Sequence, residues 1–167
     1  MRRPILTYGA PTLRHKTAPV RDVNGTLQAL IDDMVETMYA APGVGLAANQ
    51  VGRTERLFVA NPSDDRDPTQ LLVVLNPELV ETQGEIASEE GCLSVPEFRE
   101  DVRRACRVLL RGLDRNGGPL EIEAEDLLAR IFQHEVDHLN GVLFVDRLSP
   151  AKRLLLKPRL KKAFGTR

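Results

Sequence analysis

Apolar residues recur at three- and four-residue spacing in residues 27–39, at Leu27, Leu30, Ile31, Met34, Val35 and Met38. That period predicts an amphipathic helix with one face turned to a core, ended by Ala40-Ala41-Pro42-Gly43. Two short apolar runs follow at residues 56–60 and 71–75, and each reads as a strand. The polar, proline-containing residues 61–70 between them read as an exposed loop. Residues 107–113 and 120–124 form two further strands, turned by Asn116-Gly117-Gly118-Pro119 into a hairpin. Glu125-Asp126 then opens a helix through Leu139, closed by Asn140-Gly141. Ser149-Pro150-Ala151 marks a last helix start before Leu154, Leu155, Leu156 and Leu160, with Pro158 expected to kink or interrupt it. Strands fill the middle and helices the flanks, which makes the class α+β.

A chain of 167 residues, 42% hydrophobic and 28% charged, fits one globular domain with a single core. No apolar run approaches the ~18 residues of a membrane span. No secretory signal is visible at the N-terminus, and two cysteines cannot make a disulfide framework, so a reducing cytoplasm is the expected setting. The formal net charge of -1 hides an asymmetry. Residues 151–167 carry seven basic side chains (Lys152, Arg153, Lys157, Arg159, Lys161, Lys162 and Arg167) and no acidic one, which leaves residues 1–150 at a net -8. Specific DNA binding by so acidic a body is not expected; only the basic tail suits an RNA surface. Residues 1–150 thus read as the catalytic unit and 151–167 as a basic tail or helix rather than a domain. Nothing suggests more than a monomer.

The chemistry concentrates in His134-Glu135-Val136-Asp137-His138. On a helix the two histidines lie ~40° apart and one turn apart along the axis, so both imidazoles reach one metal ion. Glu135 lies ~60° from His138, close to the ion without having to ligate it. The bland alternative is two helix-face histidines around a solvated glutamate. A catalytic site of this type needs a third protein ligand. Downstream only Asp146 offers a donor, and a zinc protease would have to use it; upstream stand His15, Cys92 and Cys106. His15, between Arg14 and Lys16, reads as a surface residue. Cys106 alternates with Val108 and Leu110 and reads as a buried core thiol. Cys92, in Glu90-Gly91-Cys92-Leu93-Ser94-Val95-Pro96, follows a glycine that permits close approach and is favoured as the third ligand. A third cluster, Gly43-Val44-Gly45-Leu46-Ala47-Ala48-Asn49-Gln50, lacks the Gly-Lys-Ser/Thr of a phosphate loop. It offers either a close-packed turn or an uncharged amide donor in Gln50.

Together these three segments, with the third extended as Gln133-His134-Glu135-Val136-Asp137-His138-Leu139-Asn140-Gly141, resemble the peptide deformylase family in order and spacing, in its bacterial form with a C-terminal helix. The resemblance implies antiparallel β-sheets packed around a central helix that carries the metal motif. It implies that Cys92, His134 and His138 hold one divalent metal ion, with iron(II) favoured and zinc, nickel or cobalt as substitutes. Glu135 would take a proton from water and pass it to the leaving amine as formyl is removed from N-formylmethionyl nascent peptides. Gln50 and the backbone N–H of Leu93 would hold the oxyanion. Backbone groups of Val44, Gly45 and Gly91 would pair with the peptide, and Val44, Leu127 and Ile131 would line the methionine pocket, with Arg130 snorkelling at its rim. Glu90 and Arg99 are rim contacts or exposed charges with equal ease. The basic tail would meet ribosomal RNA. A non-catalytic peptide-binding relative is the other reading, and intact Glu135, Gln50 and Cys92 speak against it.

Overall fold

A computed structural model describes residues 1–165; Arg167, one of the seven basic tail residues, lies outside the described residues. Helix α1, Gly25–Ala40, begins where Asn24 Oδ1 accepts the Leu27 N–H at 3.0 Å, and it buries Leu27, Leu30, Ile31, Met34 and Met38 as their spacing predicts. Strands β1 (Gly45–Ala47), β2 (Leu57–Ala60), β3 (Leu72–Gln83), β6 (Arg107–Leu113) and β7 (Pro119–Glu125) form one antiparallel sheet in the order β1-β2-β3-β6-β7. All four residues of β2 are buried because both faces of the sheet are covered. Leu57 and Val59 pack toward α1, while Phe58 and Ala60 pack toward helix α2 (Asp126–Leu139). Phe58 meets Phe132 of α2 with ring centroids 5.9 Å apart.

Two strands have no clear sequence signature. β4 (Ile86–Cys92) and β5 (Val95–Arg104) form a separate antiparallel pair, with Ile86 opposite Arg104 and Gly91 opposite Arg99. Their charged residues and partial exposure mask the alternation that a half-buried strand would show. For the same reason β3 runs well past the expected residues 71–75. Its outer half is polar, carries two register shifts and pairs Glu78 with Arg111 of β6.

Helix α3 (Pro150–Phe164) starts where Ser149 Oγ accepts the Lys152 N–H, and it buries Leu156 and Leu160 against Val95, Val102 and Phe144. Pro158, expected to kink or interrupt this helix, does not interrupt it. Leu154 and Pro158 both lie on the exposed side, so the carbonyl that loses its N–H partner faces solvent. Cys106 also departs from expectation. It precedes β6 and is only half-buried, in the connection from β5, where its Sγ would stand 3.0 Å from a Cβ at Gly84. No helix among the described residues is long and apolar enough to cross a membrane.

Candidate metal centre and its cleft

α2 is buried on nearly all sides, yet half of what it buries is polar. One face gives Ala129, Phe132, Val136 and Leu139 to the core under the large sheet. The other turns His134, Glu135 and His138 toward Cys92, the last residue of β4. Cys92 Sγ lies 3.1 Å from His138 Nε2, which lies 3.1 Å from His134 Nε2. Those three donor atoms fall within 4.8 Å of one another. A thiolate and two imidazoles crowded onto one point, facing chiefly each other, fit a borderline-soft divalent transition metal. His15 is exposed and Cys106 lies apart, so neither joins the cluster. Asp146 takes bonds from Arg14 at 2.5 Å and from the Leu143 N–H at 2.9 Å, which removes the third ligand that a zinc protease would need.

Glu135 is buried beside the cluster, and its Oε1 has no hydrogen-bond partner among the described residues. Burial pushes its carboxyl up to about 7. A Cβ at Gly45 would stand 2.5 Å from Glu135 Oε2, so only glycine at this point of β1 leaves room for the carboxylate. Gln50 sits in the 3-10 turn Ala48–Val51 that follows β1. Its Oε1 accepts the Ala47 N–H at 2.9 Å, which fixes the amide so that Nε2 faces Ser94 Oγ at 3.0 Å and Cys92 Sγ at 3.7 Å. A cleft of about 870 Å³ opens over these groups, lined among others by Val44, Gly45, Gly91, Leu93, Leu127 and Ile131. Val44 and Leu127 are half exposed at its mouth, and Ile131 is buried at its floor. β1 is an edge strand of the large sheet, so the cleft has a free strand edge along one wall.

Glu90 and Arg130 are not the rim residues that the sequence suggested. Glu90 is 6% exposed; it accepts two bonds from Arg104 and one from Arg130, and its Oε2 lies 2.6 Å from His134 Nδ1. Burial alone would raise its carboxyl, but Arg104 and His134 outweigh that and hold it well below the usual carboxylate range. Arg130 turns inward to Glu90 and to the Val102 and Ile86 carbonyls. Arg99 does lie at the rim, exposed and paired with Glu89. Arg104 also bonds Asp137 at 2.9 Å, and Arg147 holds the other Asp137 oxygen at 2.7 Å. The sequence did carry one signal for Glu90. It stands two residues before Cys92 on one strand, which puts both side chains on the same face.

The fold and this donor set are those of a metal-dependent hydrolase, with a carboxylate beside the three donors and a peptide-sized cleft over them. The polypeptide deformylase family model matches residues 2–154. A peptide deformylase of Thermodesulfovibrio yellowstonii is 50% identical over 157 residues, covering 94% of this chain and 95% of that protein. One of Desulfosudis oleivorans is 54% identical over 159 residues, covering 95% and 92%. The crystal structure of a peptide deformylase from Legionella pneumophila superposes with a TM-score of 0.91 at 47% identity, covering 98% of this chain and 95% of that one. That from Thermus thermophilus gives 0.89 at 42%, covering 98% and 99%. The chain belongs to the polypeptide deformylase family and removes the N-formyl group.

Proposed function

We propose that Cys92, His134 and His138 are the metal ligands of this deformylase and that Glu135 is its acid–base group. The observation that carries the reading is the convergence of the three donors beside an unpartnered Glu135 carboxylate. When bound, the divalent ion supplies Lewis acidity and makes water a nucleophile near neutral pH. Glu135 takes the proton released as water attacks the formyl carbon, and returns it to the amine as the C–N bond breaks. Gln50 Nε2 and the Leu93 N–H donate to the oxygen that gains charge, and Gln50 comes already oriented by Ala47. Glu90 holds the His134 ring through Nδ1, which turns Nε2 toward His138 and Cys92, where it would be free to ligate.

Val44, Gly45 and Gly91 pair with the backbone of an N-formylmethionyl nascent peptide by strand addition, which gives affinity that depends little on sequence. The methionine side chain enters between Val44, Leu127 and Ile131. All these groups come from one chain, which supports action as a monomer, in the cytoplasm where formylated chains are made. Residues 1–150 carry the whole constellation, and the basic segment 151–167 is an addition to it rather than a domain of its own. Iron(II) is the ion favoured by the resemblance, with zinc, nickel or cobalt able to replace it. The basic side chains of α3 supply a surface that ribosomal RNA phosphate would attract. Formate release from a formyl-Met peptide by anaerobically prepared protein, with metal content assayed on the same sample, tests the assignment. Iron at one ion per chain with formate release is the expected result. Activity that survives His134→Ala with its metal intact would overturn it.

A further inference from the structure

The two histidines are held in different ways. His134 is oriented through its ring, because Nδ1 meets Glu90 at 2.6 Å. His138 has no such support: its Nδ1 is buried with no partner among the described residues. It also sits in the last turn of α2, where carbonyls lack intrahelical N–H partners and the backbone frays most easily. Two donors meet the His138 carbonyl. One is the Gly141 N–H, at 3.0 Å, and the other is Nδ2 of Asn49. Asn49 is 1% exposed, does not line the cleft, and immediately precedes Gln50 in the turn Ala48–Val51.

We propose that Asn49 is a positioning residue that fixes His138 through its backbone carbonyl and so ties the metal-ligand turn of α2 to the turn that carries Gln50. The inference rests on His138 being a ligand, as assigned above. An amide side chain suits the task because it reaches across and donates without bringing a charge into a buried site. Its Oδ1 is left buried without a partner among the described residues, an unfavourable feature tolerated for the sake of the donor. With this tie in place, ligand and oxyanion donor move as one body. Without it, the last turn of α2 can shift while the His134 half of the site stays fixed by Glu90.

The test uses the full chain loaded with cobalt(II), whose visible spectrum reports ligand geometry. Asn49→Leu keeps the branched shape with somewhat more bulk and removes the donor, and Asn49→Ala removes the donor without overfilling the site. Either variant should release cobalt to a chelator roughly ten-fold faster or more, with an altered visible spectrum, lower kcat and little change in KM. Thr17→Val is the control for mere structural loosening. The Thr17 hydroxyl donates to the neighbouring Leu139 carbonyl at 2.9 Å, so its loss should lower Tm without moving the spectrum. Wild-type spectra and release rates in both Asn49 variants would overturn the proposal. His138→Ala separates the two levels: if it keeps cobalt with a wild-type spectrum, the ligand assignment has failed rather than the role of Asn49.

Discussion

Glu135, buried beside the Cys92, His134 and His138 cluster, carries the acid–base part of the proposal. Its unpartnered Oε1 lies next to the donors but outside the ligand set. Glu135→Gln should therefore keep one metal per chain while turnover falls roughly 10²–10⁴-fold. Metal content and formate release on one sample check this; a variant that lost its metal yet turned over normally per bound ion would refute the role. Cys92 and Cys106 make a second contrast. Cys92→Ala should lose metal and activity together, because Sγ is one of the three converging atoms. Cys106→Ala, a half-buried thiol away from the cluster, should cost about 1 kcal/mol of stability or less and leave metal content unchanged. Equal metal loss in the two would show the ligand set to be wrong. His134, His138 and Glu135 were legible in the sequence because helical spacing alone brings two histidines and a glutamate together, and Cys92 was favoured by the glycine before it. Glu90, Arg104 and Arg130 were not: beyond the two-residue spacing of Glu90 from Cys92, nothing local tells a charge paired in the interior from one solvated at the surface. Partners from β4, β5 and α2 decide which it is.

Among the elements, α3 separates two roles that the sequence left joined. Leu156 and Leu160 belong to a core with Val95, Val102 and Phe144, and Cys92 packs against it. Removal of the helix would therefore disturb the packing beside Cys92 as well as strip away charge. Leu156→Ala should cost about 2–5 kcal/mol, measured by denaturant unfolding. Lys157, Lys161 and Lys162 are exposed, so changing all three to Glu should leave the fold and the hydrolysis of a short formyl-Met peptide near wild type. The same change should weaken co-sedimentation with ribosomes at low salt, an effect that fades as salt is raised. Undiminished co-sedimentation of the triple variant would leave α3 as a packing element only. α3 also runs on through Pro158. Local preference argues for a break, but burial of Leu156 before it and Leu160 after it holds one helix together.

For the molecule as a whole, a bound metal should act as a linchpin between α2 and the β4–β5 pair, since the three converging donors come from both. At a free metal concentration a hundred-fold above Kd, binding adds about 2.7 kcal/mol of stability. Chelation should then abolish formate release and lower Tm by roughly 5–10 °C, at about 2–4 °C per kcal/mol for a chain of this size. Calorimetry on metal-loaded and chelated protein checks the shift, and an unchanged Tm would show that the two layers hold without the ion.

The sequence by itself determined what repeats at short range. It specified the amphipathic stripe of α1, the β6–β7 hairpin at its turn, and the HExxH register of α2, because each depends on neighbours within a few residues. It also determined the three motif segments, since their residue types limit the chemistry wherever they are placed. The tertiary structure alone brought Cys92, favoured by its glycine-flanked segment, up against the two histidines and left Cys106 apart from them. It likewise decided that polar β4 and β5 are strands, and that Glu90 is an interior carboxylate between two arginines and a histidine. Those outcomes come from contacts between residues far apart in the chain, where burial changes what a charged side chain costs and what it can do.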